Sequence, residues 1–151
     1  MKKLFSLLLC MCTFLVAVSV PAFAYDVQAD NTTSVEYLAD GSYFVVEVDQ
    51  DVPIARSNTV SGSKTATYYG ANGKAMWNVT VHGEFTYTPG ISARATSASA
   101  TVGIIDSGVK FVSKDAWVSG ASAYGYAQVK YGSVTQNKTV VLTCDKYGNL
   151  S

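Results

Sequence analysis

His82 is the only histidine in the chain, and Glu84 follows it two residues later. On an extended strand both side chains project from one side. That is the arrangement a general base and its orienting carboxylate would use. No nucleophile is placed beside them by the sequence, so the expectation is two solvated residues on the polar face of a sheet. Asp49 and Asp51 offer hard oxygen ligands of the kind calcium takes, but the glycine-bearing loop and further ligands of a cation site are missing. A polar turn is expected there. Cys144 alternates with Val140 and Leu142, which buries it, and nothing near it in sequence would lower its pKa. It is expected to be an inert core thiol. These residues yield no catalytic, cofactor-binding or metal-binding set. The remaining resource is aromatic. Tyr124 and Tyr126 lie on the strand face opposite a row of small residues, Ala121, Ala123, Gly125 and Ala127, with Val129 continuing the row and Lys130 beyond the tyrosines. If the small residues face inward, the two rings face outward and form a flat stacking surface for a sugar or a partner protein. In the converse arrangement the tyrosines cover the core.

These side chains need strands to position them. Trp77, Val79, Val81, Phe85 and Tyr87 fall on one face of a segment, and Asn78, Thr80, His82, Glu84 and Thr86 fall on the other, with Gly83 holding the register. Period two over that length is a half-buried strand. Before it, Lys64–Tyr69 runs into Gly70-Ala71-Asn72-Gly73, and Asn-Gly supplies the positive φ of a tight hairpin. After it, Ser92–Ile105, Val109–Val118 with its bulky Phe111 and Trp117, Ala121–Tyr131 and Lys138–Cys144 read as four more strands. They are separated by Asp106-Ser107-Gly108, Ser119-Gly120 and Gly132-Ser133. Strands at this spacing, without helical periodicity, predict an all-β fold: an antiparallel sandwich, immunoglobulin-like or similar, with an open β-barrel as the alternative. Trp77, Val79, Val81, Phe85, Val140 and Leu142 are the expected core.

The start of the chain has a different logic. Met1-Lys2-Lys3 is followed by an apolar run from Leu4 to Val20 and then by Pro21-Ala22-Phe23-Ala24. The three parts match the basic, apolar and small-residue regions of a cleavable export signal. Residues 1–24 are therefore expected to be removed. Residues 25–57 read as a polar segment or linker with one possible strand at Tyr43–Val48, and 58–151 as the β-sandwich domain. Loss of Lys2 and Lys3 leaves 9 basic and 11 acidic residues, a net charge near −2. That balance argues against a nucleic-acid partner, which needs a basic surplus, and no second apolar run is long enough to span a membrane. Cys10 and Cys12 leave with the signal, so Cys144 has no partner for a disulfide and stability must come from packing.

The pattern N-G-K-x-x-W-x-V-x-V-x-G-x-F-x-Y, which begins at Asn72, and the ending Val140–Ser151 resemble short exported proteins of Gram-positive bacteria to which no function is assigned. The resemblance covers 64–151. It implies export and a β fold, and it implies a second cysteine in the stretch that here holds Ala95, able to pair with the position of Cys144. With alanine at 95 that bridge is missing. The resemblance supplies no activity. Together these readings lead to an expectation of a secreted, extracellular, non-enzymatic binding or interaction protein without a cofactor. Its partner would be a glycan, an envelope component or another protein. The alternative is a small bacteriocin-like or toxin-like secreted effector.

Overall fold

The computed structural model describes residues 32–51 and 58–151. The expected signal and its cleavage site lie outside them. The described residues form eight strands: β1 (Thr33–Tyr37), β2 (Tyr43–Gln50), β3 (Thr59–Tyr69), β4 (Ala75–Thr88), β5 (Ser92–Ile104), β6 (Val109–Ser119), β7 (Ser122–Tyr131) and β8 (Val134–Thr143). β1 to β5 make one antiparallel sheet in sequence order, and β6 to β8 make a second. The two do not close into a barrel, so the fold is a sandwich. Each sheet is a simple meander. An immunoglobulin sandwich instead exchanges strands through Greek-key connections.

The strand expected at Tyr43–Val48 pairs along its whole length with β3. Residues 33–37, which show no periodicity in sequence, form β1 on its outer side. Both strands therefore belong to the main sheet rather than to a separate linker. All five β1 residues are exposed, which explains why no buried face marks them. β8 begins at Val134, four residues before the expected start, because its first half carries polar residues of both rows.

Packing between the sheets follows the alternation. Trp77, Val79, Val81 and Phe85 are fully buried, and Val140, Leu142 and Cys144 join the same core. The indole N–H of Trp77 donates to Gln136 Oε1 at 3.2 Å, so this buried donor is satisfied. The row of small residues on β7 faces inward: Ala123, Ala127 and Val129 have no exposed surface. The reason is close approach. A Cβ placed on Gly125 would stand 2.8 Å from Val81 Cβ, and one on Gly83 would stand 2.9 Å from Ala123 Cβ. Only hydrogen at those two positions lets β7 settle onto β4. Once this row faces in, period two sends Tyr124, Tyr126 and Gln128 outward.

The hairpin joining β6 to β7 turns at Gly120, whose φ is +58°, a conformation glycine adopts without strain. Its two-residue turn pairs Ser119 with Ser122 and hence Trp117 with Tyr124. On the open side of the sandwich, Lys138 pairs with Glu36, and its ammonium lies 4.6 Å from the centre of the Phe44 ring.

Candidate functional site

The outer face of the three-stranded sheet is built from residues directly opposed across β6, β7 and β8. Reading along the strands, its rows are Ser119–Ser122–Thr143, Trp117–Tyr124–Val141, Asp115–Tyr126–Thr139, Ser113–Gln128–Asn137 and Lys110–Lys130–Thr135. In an antiparallel pair, opposed residues share a face, so these five rows form one continuous surface. A bulge between Phe111 and Ser113 keeps Lys110 and Ser113 on that same side although they are three positions apart. Val141 is the single aliphatic side chain in the grid.

Tyr124 and Tyr126 are both half-buried on this face, the side the inward Ala/Gly row predicts. Tyr124 does not act alone. Its ring lies 5.1 Å from that of Trp117, centroid to centroid, with the planes 7° apart. Two coplanar rings lying side by side could not approach so closely, so the pair overlaps face to face and stands up from the sheet. This corrects the picture of a flat platform: one ring face of Trp117 is turned toward the free edge of the sheet, and its side chain is 40% exposed. Trp117 escapes a reading by sequence alternation because its neighbours on β6 show none. The local signal was the turn at Gly120, from which the pairing of 117 with 124 follows by counting outward. Around the rings, Ser122 Oγ lies 2.9 Å from Thr143 Oγ1, and Asp115 Oδ1 accepts the backbone N–H of Ala116 at 2.8 Å, which fixes the carboxylate beside Tyr126.

The other sheet carries the remaining candidates. His82 and Glu84 project from β4, and Asp49 and Asp51 come from β2 and the segment after it. The structure brings all four to one open recess of about 430 Å³, shared with Ser61, Ser63, Ser97 and Ser99. The order across the strands is Asp49–Ser63–His82–Ser99. Ser63 therefore separates Asp49 from the imidazole, and Glu84 stands two residues along β4 from His82, opposed to Ser61 and Ser97. Asp51 accepts instead from Ser61 Oγ at 2.7 Å. Among the described residues no group of three or more His, Cys, Asp or Glu side chains is arranged to hold a metal ion. On the same face, Tyr43 stacks on Tyr69 with centroids 5.0 Å apart and planes 4° apart, and Tyr37 tilts against Tyr43 at 5.6 Å.

Cys144 is 2% exposed. Burial first, and then the nearby charge of Asp145, push its thiol up to about 11, so it stays protonated and unreactive near neutral pH. Its Sγ donates to the Asp145 carbonyl at 3.3 Å. Asp145 organises the loop that follows β8. Desolvation works against its charge, but hydrogen bonds from the Asn149 side chain and from the backbone N–H groups of Asn149 and Tyr147 outweigh it and hold the carboxyl below its usual range. Gln50 ties this loop to the five-stranded sheet by donating to Gly148 O and accepting from Leu150 N, both at 3.0 Å. Among the described residues no helix is long and apolar enough to cross a membrane. No protein-family model, no curated protein and no solved structure matches the chain.

Proposed function

We propose that the chain is an exported, non-enzymatic binding protein that takes a glycan on the outer face of its three-stranded sheet. The observation behind this reading is the Trp117–Tyr124 stack, set among hydroxyl, amide and carboxylate side chains. A pyranose ring presents an apolar patch of C–H groups and a belt of hydroxyls. It needs an aromatic surface for the first and hydrogen-bonding groups for the second, and few precisely placed polar groups usually give such sites their orientation. A protein-binding hot spot would instead sit its aromatics in an apolar, desolvated centre, and here Val141 is the one aliphatic residue in the paired rows around the rings. The basic, apolar and small-residue order of residues 1–24 supports export, and material collected from the growth medium should begin at Tyr25 in a mass spectrum. The net charge near −2 after loss of the signal supports a partner other than nucleic acid.

The test is a glycan array probed with wild-type protein and with Trp117→Ala. The reading expects a subset of immobilised glycans to retain the wild type and to release the variant. Absence of wild-type binding to every glycan, or equal retention of the variant, would remove it.

A further inference from the structure

Two lysines stand at the far end of the aromatic face, and neither forms an ion pair among the described residues. Lys110 on β6 and Lys130 on β7 are directly opposed, so both ammonium groups rise from the same outer side. Like charges opposed across a strand pair repel. Both residues are exposed, and the ion pairs among the described residues use Lys74 and Lys138 instead. Lys110 Nζ reaches only the Ser107 carbonyl, at 3.5 Å. The one acidic group of the face, Asp115, lies two rows away beside the ring pair. The face is therefore polarised along β7: rings and a carboxylate at one end, amides in the middle, and two positive charges at the other. Six residues separate Tyr124 from Lys130, roughly 20 Å at the rise of a strand.

Resting on the reading that this face binds a glycan, the geometry points to an acidic linear polysaccharide as its ligand, a chain several sugars long in which neutral pyranose rings alternate with carboxylate-bearing ones. A neutral ring packs against Trp117 and Tyr124, where Asp115 accepts its hydroxyls and repels an anion. The amides of Gln128 and Asn137 meet the hydroxyls of the middle of the chain. A carboxylate settles between Lys110 and Lys130 and removes their mutual repulsion. Charge complementarity selects this occupant over a neutral chain, which would leave the lysine pair unrelieved. The distance selects an oligomer over a single sugar, which can reach only one end.

The experiment is titration calorimetry with defined probes: a hyaluronan octamer, a hyaluronan disaccharide and a neutral chito-oligosaccharide octamer. Wild type should bind the acidic octamer at least about tenfold more tightly than the disaccharide or the neutral chain, and that advantage should fade as salt screens the lysines. Lys110→Gln with Lys130→Gln should weaken binding of the acidic octamer about tenfold and leave the neutral chain unaffected. Both positions are exposed and their mutual repulsion is removed, so the double variant should melt no lower than the wild type. Trp117→Ala should weaken both octamers. If the neutral octamer binds as tightly as the acidic one, or the double lysine variant binds the acidic octamer like wild type, this inference falls while glycan binding stands. If neither octamer binds, both fall. If the lysine substitutions instead dissolve a dimer seen by sedimentation, the face is an interface between copies of the chain, and the inference is overturned.

Discussion

The outer faces of the two sheets come from the same period-two alternation, yet they differ in charge. The five-stranded sheet turns out hydroxyls from β3, β4 and β5, four carboxylates (Glu47, Asp49, Asp51 and Glu84) and a single Arg94. The three-stranded sheet turns out hydroxyls too, but with rings, amides and a lysine pair beside one carboxylate. Each face also has an aromatic stack, Tyr37–Tyr43–Tyr69 on the first and Trp117–Tyr124 on the second. Their neighbours differ. The tyrosine stack borders the aliphatic Val35 and Val45 on β1 and β2, so it continues an apolar strip, while the Trp117 stack has Val141 on one side and hydroxyl and carboxylate groups in the rows above and below. Inward positions answer to packing, with large residues on β4 set against small ones on β7. Outward positions are free of that constraint, and there the chain distinguishes one side from the other.

The comparison presupposes a shared interior, and the largest expected effect tests that. Trp77 is fully buried and touches Phe44 edge to face at 5.9 Å. Trp77→Ala should cost about 3–5 kcal/mol, a large part of the stability of a domain this size; a denaturant melt reads it, and an unchanged midpoint would mean the faces are inverted. Next comes the contrast between adjacent residues of β7. Gly125→Val drives methyl groups into Val81, already 2.8 Å from an ideal Cβ, and should cost about 1–3 kcal/mol. Tyr124→Ala, one residue away and outward, should cost about 1 kcal/mol, the scale of an aromatic pair. Equal losses would show that the two rows do not differ in burial.

The two stacks can be set directly against each other. Trp117→Ala should abolish retention on a glycan that binds wild type, and Tyr43→Ala should leave it intact, with both variants melting within about 1.5 kcal/mol of wild type. Loss of binding through Tyr43 alone would move the site to the other face. A smaller effect concerns pH. Asp145 is held below its ordinary range in the fold, so its contribution is present above the unfolded carboxyl pKa and is lost as pH falls through the folded one, below about 4. The Cys144 thiol goes the other way: its folded pKa of about 11 exceeds the ordinary value of 9.0. Its contribution is complete below about pH 9 and disappears as pH rises toward 11. Melting temperature against pH should fall at both ends. Native Cys144 should label slowly with a thiol reagent at pH 7 and rapidly once unfolded; fast native labelling would contradict its burial.

Legibility from sequence tracked burial. β4 and the end of β8 could be read residue by residue, because one face is apolar and the other is not. β1 could not, because an edge strand with five exposed residues has no inner face to betray it. Tyr124 and Tyr126 were readable as outward residues once the Ala/Gly row was assigned to the interior. Trp117 was not, since β6 is exposed along almost its whole length and its alternation carries no contrast. The recess that joins Asp49 and Asp51 to His82 and Glu84 depends on the register of β3 on β4, which the turn at Asn72-Gly73 marks, and on that of β2 on β3, which no tight turn marks.

The central claim, that the outer face of β6, β7 and β8 is the binding surface, is tested most directly by mapping backbone amide shifts while the hyaluronan octamer is titrated into labelled protein. The account predicts that the shifting amides cluster around Trp117, Tyr124, Tyr126, Gln128 and Lys130, with the His82 and Ser63 region silent. Shifts confined to the Asp49–His82 recess or to Tyr43 and Tyr69, or no shifts at saturating ligand, would contradict it.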